Sequence, residues 1–172
     1  MDKVKTELRG TVEDVVFSNG ETGFTVIDMS VDGELITAVG VLPTLSAGEN
    51  LRVTGYWDYH HSFGRQFKID ECERQMPKTS ADMLKYLSSG TIKGIGPKIA
   101  AKIVEKFGES TFDILENNPE LLASIKGISK DKALEMSEEF RRQFAIREVI
   151  IYLEKFGMTS NECVNVFKIF GA

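Results

Sequence analysis

The sequence lacks the features of a membrane, secreted or metal-binding protein. No apolar run approaches the ~20 residues that a membrane-spanning helix needs, so we expect no membrane partner. The first residues contain no apolar segment typical of a secretory signal, which favours a cytoplasmic location. The two cysteines, Cys72 and Cys163, lie far apart without metal-type spacing, so we expect reduced thiols and no metal site.

The sequence also lacks the signatures of a catalytic centre. No Gly-Lys-Ser/Thr triplet occurs in the 172 residues, which argues against a phosphate loop that binds nucleotide. No nucleophile–base set is visible, so we expect no catalytic residue in this chain. Hydrophobic residues make up 42% of the sequence, which predicts a folded core rather than disorder.

The net charge of −5 argues against a uniformly basic nucleic-acid binder, but the charge is unevenly distributed. Residues 1–77 hold 7 basic and 13 acidic side chains, whereas residues 78–172 hold 14 basic and 13 acidic ones. Local fields decide contact with phosphate, so any basic site is expected in the second half. The acidic first half is an objection to strong DNA binding there.

Residues 1–77 have the alternation and the turn residues of an all-β domain. Five short strands are predicted, with Asp32-Gly33 and Ser62-Phe63-Gly64 among the turns, at 8–17, 24–30, 34–41, 51–59 and 65–73. Five strands of this length predict a small OB-like Greek-key barrel. Since the remainder has helical patterning, the expected fold class is α+β in two domains.

Strands four and five carry aromatic and cationic side chains on which an OB barrel could stack bases: Tyr56, Trp57, Tyr59 and Arg65. The alternative is that some of these rings fill the barrel core and the others are ordinary surface rings. The acidic balance of this half favours that alternative. A protein partner on the barrel is as well supported as a single strand of nucleic acid.

Residues 78–172 are expected to form an all-α domain with tandem helix-hairpin-helix units. Its first helix is predicted to be capped by Ser80, after a linker over 76–81. Later helices are predicted as separate segments at 133–144 and 148–156, followed by a last one at 161–170. Arg141, Arg142 and Arg147 are expected on a solvated face.

One stretch in this half has the pattern of a phosphate-binding turn. Its two glycines permit a tight bend, and its proline is suited to the first position of a helix. The unpaired amides at a helix N-terminus attract phosphate, and lysines add positive charge. We expect contact with the nucleic-acid backbone, without base identity, from Lys93, Gly94, Ile95, Gly96, Pro97, Lys98 and Lys102.

Other interpretations of this stretch are weaker. A dinucleotide-binding fingerprint fails because Ile99 stands where its third glycine belongs, and because no strand precedes it. A surface turn between two packing helices is the remaining alternative.

A second copy of the motif supports the nucleic-acid interpretation. Residues 125–133 repeat residues 92–100 with Ile, Lys, Gly, Ile and Ala at identical offsets, which indicates a duplicated unit. The predicted contacts of this copy are Lys126, Gly127, Ser129 and Lys130. Ser129 replaces the second glycine and Asp131 places an anion nearby, so this copy is expected to bind more weakly or to be mainly structural. A third, degenerate hairpin is predicted near 157–160.

The sequence resembles the N-terminal region of the long-form, YrrC-type RecD-like DNA helicases, the exodeoxyribonuclease V alpha subunit family. The residues that carry the resemblance are Leu8-Arg9-Gly10-Thr11-Val12-Glu13, Gly55-Tyr56-Trp57, Gly64-Arg65-Gln66-Phe67, Tyr86-Leu87-Ser88-Ser89-Gly90, Ile92-Lys93-Gly94-Ile95-Gly96-Pro97-Lys98, Val104-Glu105-Lys106-Phe107-Gly108 and Arg147-Glu148-Val149.

The resemblance implies a DNA-binding accessory module of a bacterial ATP-dependent helicase that moves from 5′ to 3′ in DNA repair and recombination. ATP and magnesium would serve the motor, which this chain does not include. The implied partners are single-stranded or forked DNA and the motor of the same parent chain. Two alternatives are a scaffold that docks the motor or another protein, and a junction-binding subunit of the branch-migration type.

Overall fold

The computed structural model describes residues 4–170, which form a closed five-stranded barrel and a set of helices. This arrangement confirms the expected fold class. The strands are β1 (Thr6–Ser18), β2 (Phe24–Val31), β3 (Glu34–Val41), β4 (Asn50–His60) and β5 (Gly64–Gln75). Their order around the barrel is β1-β2-β3-β5-β4, with β3 and β5 parallel and the other neighbours antiparallel.

The barrel core is built from the inward-facing residues, which alternate with outward-facing ones along each strand. Val12, Ile27, Met29, Val53 and Phe67 are fully buried there. Each such side chain contributes about 1.5–3 kcal/mol through removal of apolar surface from water. The barrel therefore has an ordinary hydrophobic interior, in agreement with the expectation from composition.

Gly55 allows a close approach between β4 and β5. The pairing register of the two strands shifts between Thr54 and Gly55, and a Cβ on Gly55 would lie 1.8 Å from the backbone oxygen of Lys68. Only glycine fits at this bulge, because a backbone atom cannot move aside as a flexible side chain can.

The outer part of the β4–β5 hairpin extends beyond its neighbouring strands. Pairing between β1 and β4 starts with Thr6 opposite Gly55, and β3 pairs with β5 at Phe67 and Lys68. Residues 59–65, which we call the β-tip, include the pair of Tyr59 with Arg65 and have no ladder to a third strand among the described residues. The edges of this ribbon are therefore unpaired, and most of its side chains are exposed.

The helices are α1 (Ser80–Ser88), α2 (Pro97–Phe107), α3 (Thr111–Asn117), α4 (Lys130–Lys155) and α5 (Ser160–Phe170), with 3-10 helices at Gly108–Ser110 and Pro119–Ser124. The predicted cap at Ser80 is wrong by one residue. The side chain of Thr79 accepts from the amide of Asp82 at 3.1 Å. None of the described helices is long and apolar enough to cross a membrane.

α4 is one continuous helix where two segments were predicted at 133–144 and 148–156. It contains neither glycine nor proline, so its backbone has no local cause to break. The prediction for Arg147 is also wrong, since this side chain is only 2% exposed. Its Nη1 donates to Oε1 of Gln143 at 2.9 Å, and its guanidinium lies 5.4 Å from the ring centre of Tyr86. Arg141 and Arg142 are exposed as expected.

The chain divides into two compact units. One comprises the residues up to Met76 together with those from Val149 onward, and the other comprises Pro77–Glu148. This division differs from the expected boundary at 77/78, because the end of α4 and all of α5 group with the barrel. The predicted third hairpin near 157–160 therefore lies in a different unit from the other two.

A buried charged group joins the end of α4 to the barrel. Arg74 on β5 donates from Nε to Oε1 of Glu154 at 3.3 Å, and its Nη1 lies 3.8 Å from Oε1 of Glu49. The guanidinium also donates to the carbonyl oxygens of Pro43 and Thr44. Burial acts to lower the pKa of Arg74, but the carboxylates of Glu49 and Glu154 outweigh it and the pKa is raised. The charged guanidinium thus links three segments that are distant in sequence.

Candidate nucleic-acid interface

The first turn, Lys93–Lys98, combines a left-handed glycine with the start of α2. Gly94 has φ +95°, a conformation that glycine adopts without the steric cost that a side chain would incur. The amide of Ile95 donates to the carbonyl of Ile92 at 3.1 Å, and both isoleucine side chains are buried. Ile95, predicted as a DNA contact, therefore anchors the turn and uses its amide within it.

The amides at the start of α2 are open. Gly96 occupies the N-cap position without a capping side chain, and Pro97 is the first helical residue. The first backbone bond of the helix runs from the amide of Ala100 to the carbonyl of Gly96 at 2.9 Å. Within the described residues, the amides of Gly96, Lys98 and Ile99 have no hydrogen-bond acceptor. Such amides, at the positive end of a helix, are suited to bind an anion.

The space in front of the first turn is empty. A Cβ on Gly94 or on Gly96 would have no protein atom within 4 Å. Gly96 has φ −92° and ψ 177°, which is extended backbone that any residue adopts. The fold therefore does not require glycine at position 96, and what the missing side chain provides is access to the backbone.

The lysines of the first turn are exposed, whereas those of α2 also reach the second turn. Lys93 and Lys98 are exposed and belong to no ion pair among the described residues. The Nζ of Lys102 donates to the carbonyl of Lys126 at 3.4 Å, and the Nζ of Lys106 donates to Oγ of Ser124 at 2.6 Å. The structure thus brings the side chain of Lys102 to the second turn rather than leaving it free.

The second turn, Lys126–Asp131, repeats the backbone of the first. Gly127 has φ +97°, and the amide of Ile128 donates to the carbonyl of Ile125 at 3.1 Å. The amide of Ala133 donates to the carbonyl of Ser129 at 2.9 Å, as Ala100 does to Gly96. The duplication visible in the sequence is therefore a duplication of conformation.

The side chains of the second turn differ from those of the first. The Oγ of Ser129 accepts from the amide of Lys132 at 3.2 Å, so one helix amide is capped internally. Asp131 is exposed in the first turn of α4, where its charge repels a phosphate. Lys126 and Lys130 are exposed as well, so this site keeps positive charge but has a competing anion.

The predicted base-stacking residues of the barrel occupy different environments. The Trp57 ring packs edge-on against Phe67, with ring centres 5.2 Å apart, and the Arg65 guanidinium lies 3.8 Å from the Trp57 ring centre. Tyr59 lies directly across from Arg65 and is 76% exposed. Tyr56 points to the other face of β4, since successive strand residues alternate. The structure therefore brings Trp57, Tyr59 and Arg65 together on one face and separates Tyr56 from them.

One residue outside the predicted set lies at the end of this ribbon. Phe63 in the β-tip is 76% exposed. Lys68 on β5 is paired with Tyr56 and therefore lies on the other face. The sequence contained a signal for a basic segment here, because residues 59–69 include two basic side chains and no acidic one. No grouping of three His, Cys, Asp or Glu that could hold a metal occurs among the described residues.

Comparisons with known proteins agree with this architecture. Residues 5–77 match the family described as "ATP-dependent DNA helicase YrrC, OB-fold domain", and residues 85–142 match a "SAM-like Helix-hairpin-helix tandem". The chain is 26% identical over 170 residues to the ATP-dependent RecD2 DNA helicase of Deinococcus radiodurans. That alignment covers 95% of this chain and 24% of the relative, so the chain spans about a quarter of the relative's length. The resemblance to the N-terminal region of RecD-like helicases is confirmed.

Proposed function

Because this chain carries the OB and helix-hairpin-helix domains of the N-terminal region of RecD-like DNA helicases, we propose that it is a DNA-binding accessory module of such an enzyme. It holds the phosphate backbone of DNA without sequence specificity. The first turn, Lys93–Lys98, supplies the main contact, and the second turn, Lys126–Asp131, supplies a weaker one.

The open helix start at Gly96 is the observation that supports this proposal most directly. Three amides without acceptors among the described residues, two exposed lysines and an empty space in front of the glycines occur at one place. A side-chain cap or a buried turn would have served packing equally well. The arrangement instead favours a ligand that is negatively charged and approaches the backbone closely.

The module belongs to a longer reaction that this chain does not perform alone. We assign ATP hydrolysis, magnesium binding and 5′ to 3′ translocation to the remainder of the helicase, and none of the residues described above takes part in them. The contribution of this chain is to engage DNA, single-stranded or forked, during repair and recombination.

A salt titration of DNA binding tests the proposal. We expect the wild-type chain to bind a 5′-labelled single-stranded oligonucleotide, with log affinity falling against log salt by about 0.7 per phosphate contact. Lys93→Ala/Lys98→Ala should lower the affinity roughly tenfold at low salt and reduce the slope by about 1.4, since two contacts are lost. Fluorescence anisotropy gives both values.

The matched control is Lys78→Ala/Lys155→Ala, which removes the same charge from two exposed lysines outside both turns. It should change the affinity by less than a factor of about two, because screened charges act only within about 10 Å at 0.1 M salt. Equal losses in the two double variants, or binding that is insensitive to salt, would overturn the proposal.

A second candidate function is docking of the helicase motor. Tyr152 on the last turn of α4 and Phe156 directly after the helix are exposed, with ring centres 4.7 Å apart, and Val149 is exposed on the same helix. Exposed apolar patches of this kind favour a protein contact. A pull-down with the separately expressed motor tests this function, and Tyr152→Ser/Phe156→Ser should abolish capture while leaving DNA affinity unchanged.

A further inference from the structure

The β-tip, residues 59–65, has the features of a site for unpaired nucleobases. We propose that it stacks one or two bases of a single DNA strand on Tyr59 and Phe63, with Arg65 supplying positive charge for the adjoining phosphates. This inference rests on the proposed DNA-binding function. It adds a second contact on the barrel, which would give the module a preference for unpaired strands.

The two rings are exposed on a turn whose geometry is fixed. Tyr59 and Phe63 are each 76% exposed, so neither contributes to the barrel core. The Nδ1 of His60 accepts from the amides of Ser62 and Phe63 at 3.0 and 3.2 Å. The His60 ring also packs 4.8 Å from the Phe63 ring centre. The turn therefore holds Phe63 in place, which lowers the entropy cost of stacking a base on it.

Tyr59 lies across the ribbon from the last member of a column of planar groups. The column begins at the buried Phe67, continues through Trp57 at 5.2 Å and then through the Arg65 guanidinium at 3.8 Å. Tyr59 is the cross-strand partner of Arg65. Nucleobases stack on aromatic rings and on arginine planes alike, so a base placed beside Tyr59 and Arg65 would extend the column.

The described basic side chains of the barrel lie beside carboxylates, except for Arg65 beside this column and Lys68 on the opposite face. Lys5, Arg9, Arg52 and Arg74 each lie within 4.0 Å of a carboxylate oxygen. Among the described barrel residues, Arg65 and Lys68 have no such partner, and residues 59–69 include no acidic side chain. An exposed aromatic pair alone would also suit a protein partner. The unpaired cation on the same face as the rings, Arg65, instead favours a polyanion.

The test uses the full chain and two fluorescent strands of equal length, oligo-dT and its abasic analogue, which has the same phosphates but no bases. Trp57 is the only tryptophan of the chain and lies in the proposed column, so its emission reports on the site. We expect oligo-dT to bind about tenfold more tightly than the abasic strand, and only oligo-dT to quench Trp57. In Tyr59→Ala/Phe63→Ala both differences should disappear.

The matched control is Phe17→Ala, which removes a ring that is 51% exposed and packs 6.3 Å from Phe24, away from the β-tip. It should retain the preference for oligo-dT. Circular dichroism checks that each variant is folded.

The outcomes separate this inference from the proposed function. A preference for bases that survives in Tyr59→Ala/Phe63→Ala, or that Phe17→Ala removes equally, overturns the β-tip site. Salt-dependent binding of both strands with no preference overturns the site but leaves the phosphate contact of the first turn. If neither strand binds, both proposals are overturned, and a protein contact is left as the role of the β-tip.

Discussion

The first and second turns have the same backbone but different side chains. The third connection shares their left-handed glycine, with Gly157 at φ +82°, and Thr159 caps its helix as Ser129 does in the second turn. Gly94 and Gly127 share one left-handed conformation. In each copy a buried isoleucine lies two residues before the glycine and another lies directly after it. The first turn leaves its helix amides uncapped, whereas Ser129 caps one in the second. The third connection, between α4 and α5, groups with the barrel.

The comparison separates what the fold requires from what binding requires. The left-handed glycine and the two isoleucines are common to both copies, so they are needed to make the turn. Gly96 and Lys98 are present only in the first copy, although Ser129 and Asp131 occupy the same backbone positions in the second. These differences leave the backbone unchanged and alter only a surface property, which here is access for an anion.

The largest expected effect is on the stability of the unit that contains the third connection, and it should leave the unit with the first two turns folded. Arg74→Met should lower the free energy of unfolding of the barrel unit by about 3–5 kcal/mol, because Glu49 and Glu154 would remain buried without their counter-charge. Urea denaturation followed by Trp57 emission measures this change. Far-UV circular dichroism should show that α1 and α2 survive at urea concentrations that unfold the barrel. Simultaneous loss of all signals would contradict the independence of the two units.

A smaller loss of stability should follow equally from replacing the left-handed glycine in the first or in the second turn. Gly94→Ala and Gly127→Ala should each cost about 1–2 kcal/mol, because a side chain at these positive φ angles is strained even with open space around it. Gly96→Ala is the control, since its extended backbone accepts alanine without strain. It should leave the melting temperature unchanged and lower only DNA affinity. A melting temperature that falls as far in Gly96→Ala would contradict the distinction between fold and access.

The sequence was sufficient for the features that depend on local pattern. Strand alternation, turn glycines and the internal repeat predicted the barrel and both hairpins. It was insufficient where long-range contacts decide. Nothing local distinguishes Arg147, which is buried, from Arg141, which is exposed. Similarly, Glu154 lies in an ordinary helical stretch, and nothing local shows that it is buried against Arg74 on a distant strand.

The candidate site was predictable in its position but not in the roles of its residues. The glycine and lysine spacing identified both turns. The spacing alone could not show that Ile95 uses its amide internally or that Lys102 reaches the second turn. The aromatic cluster was found as a set, but whether each ring is covered depends on cross-strand pairing, which places Trp57 beneath Arg65 and leaves Tyr59 exposed.

The smallest expected effect is a gain in DNA affinity from a substitution that makes the second turn more like the first. Asp131→Lys removes the exposed anion and restores the residue type found at Lys98. The substitution changes the local charge by two units. Each unit contributes at most about 1 kcal/mol at 4 Å in water and less at longer, salt-screened distances, so DNA affinity should rise roughly fivefold at low salt and the salt slope should steepen by about 0.7. Glu148→Lys, the same charge change about 25 Å further along α4, is the control. If both variants raise the affinity equally, overall charge governs binding, and the difference between the two turns has no part in it.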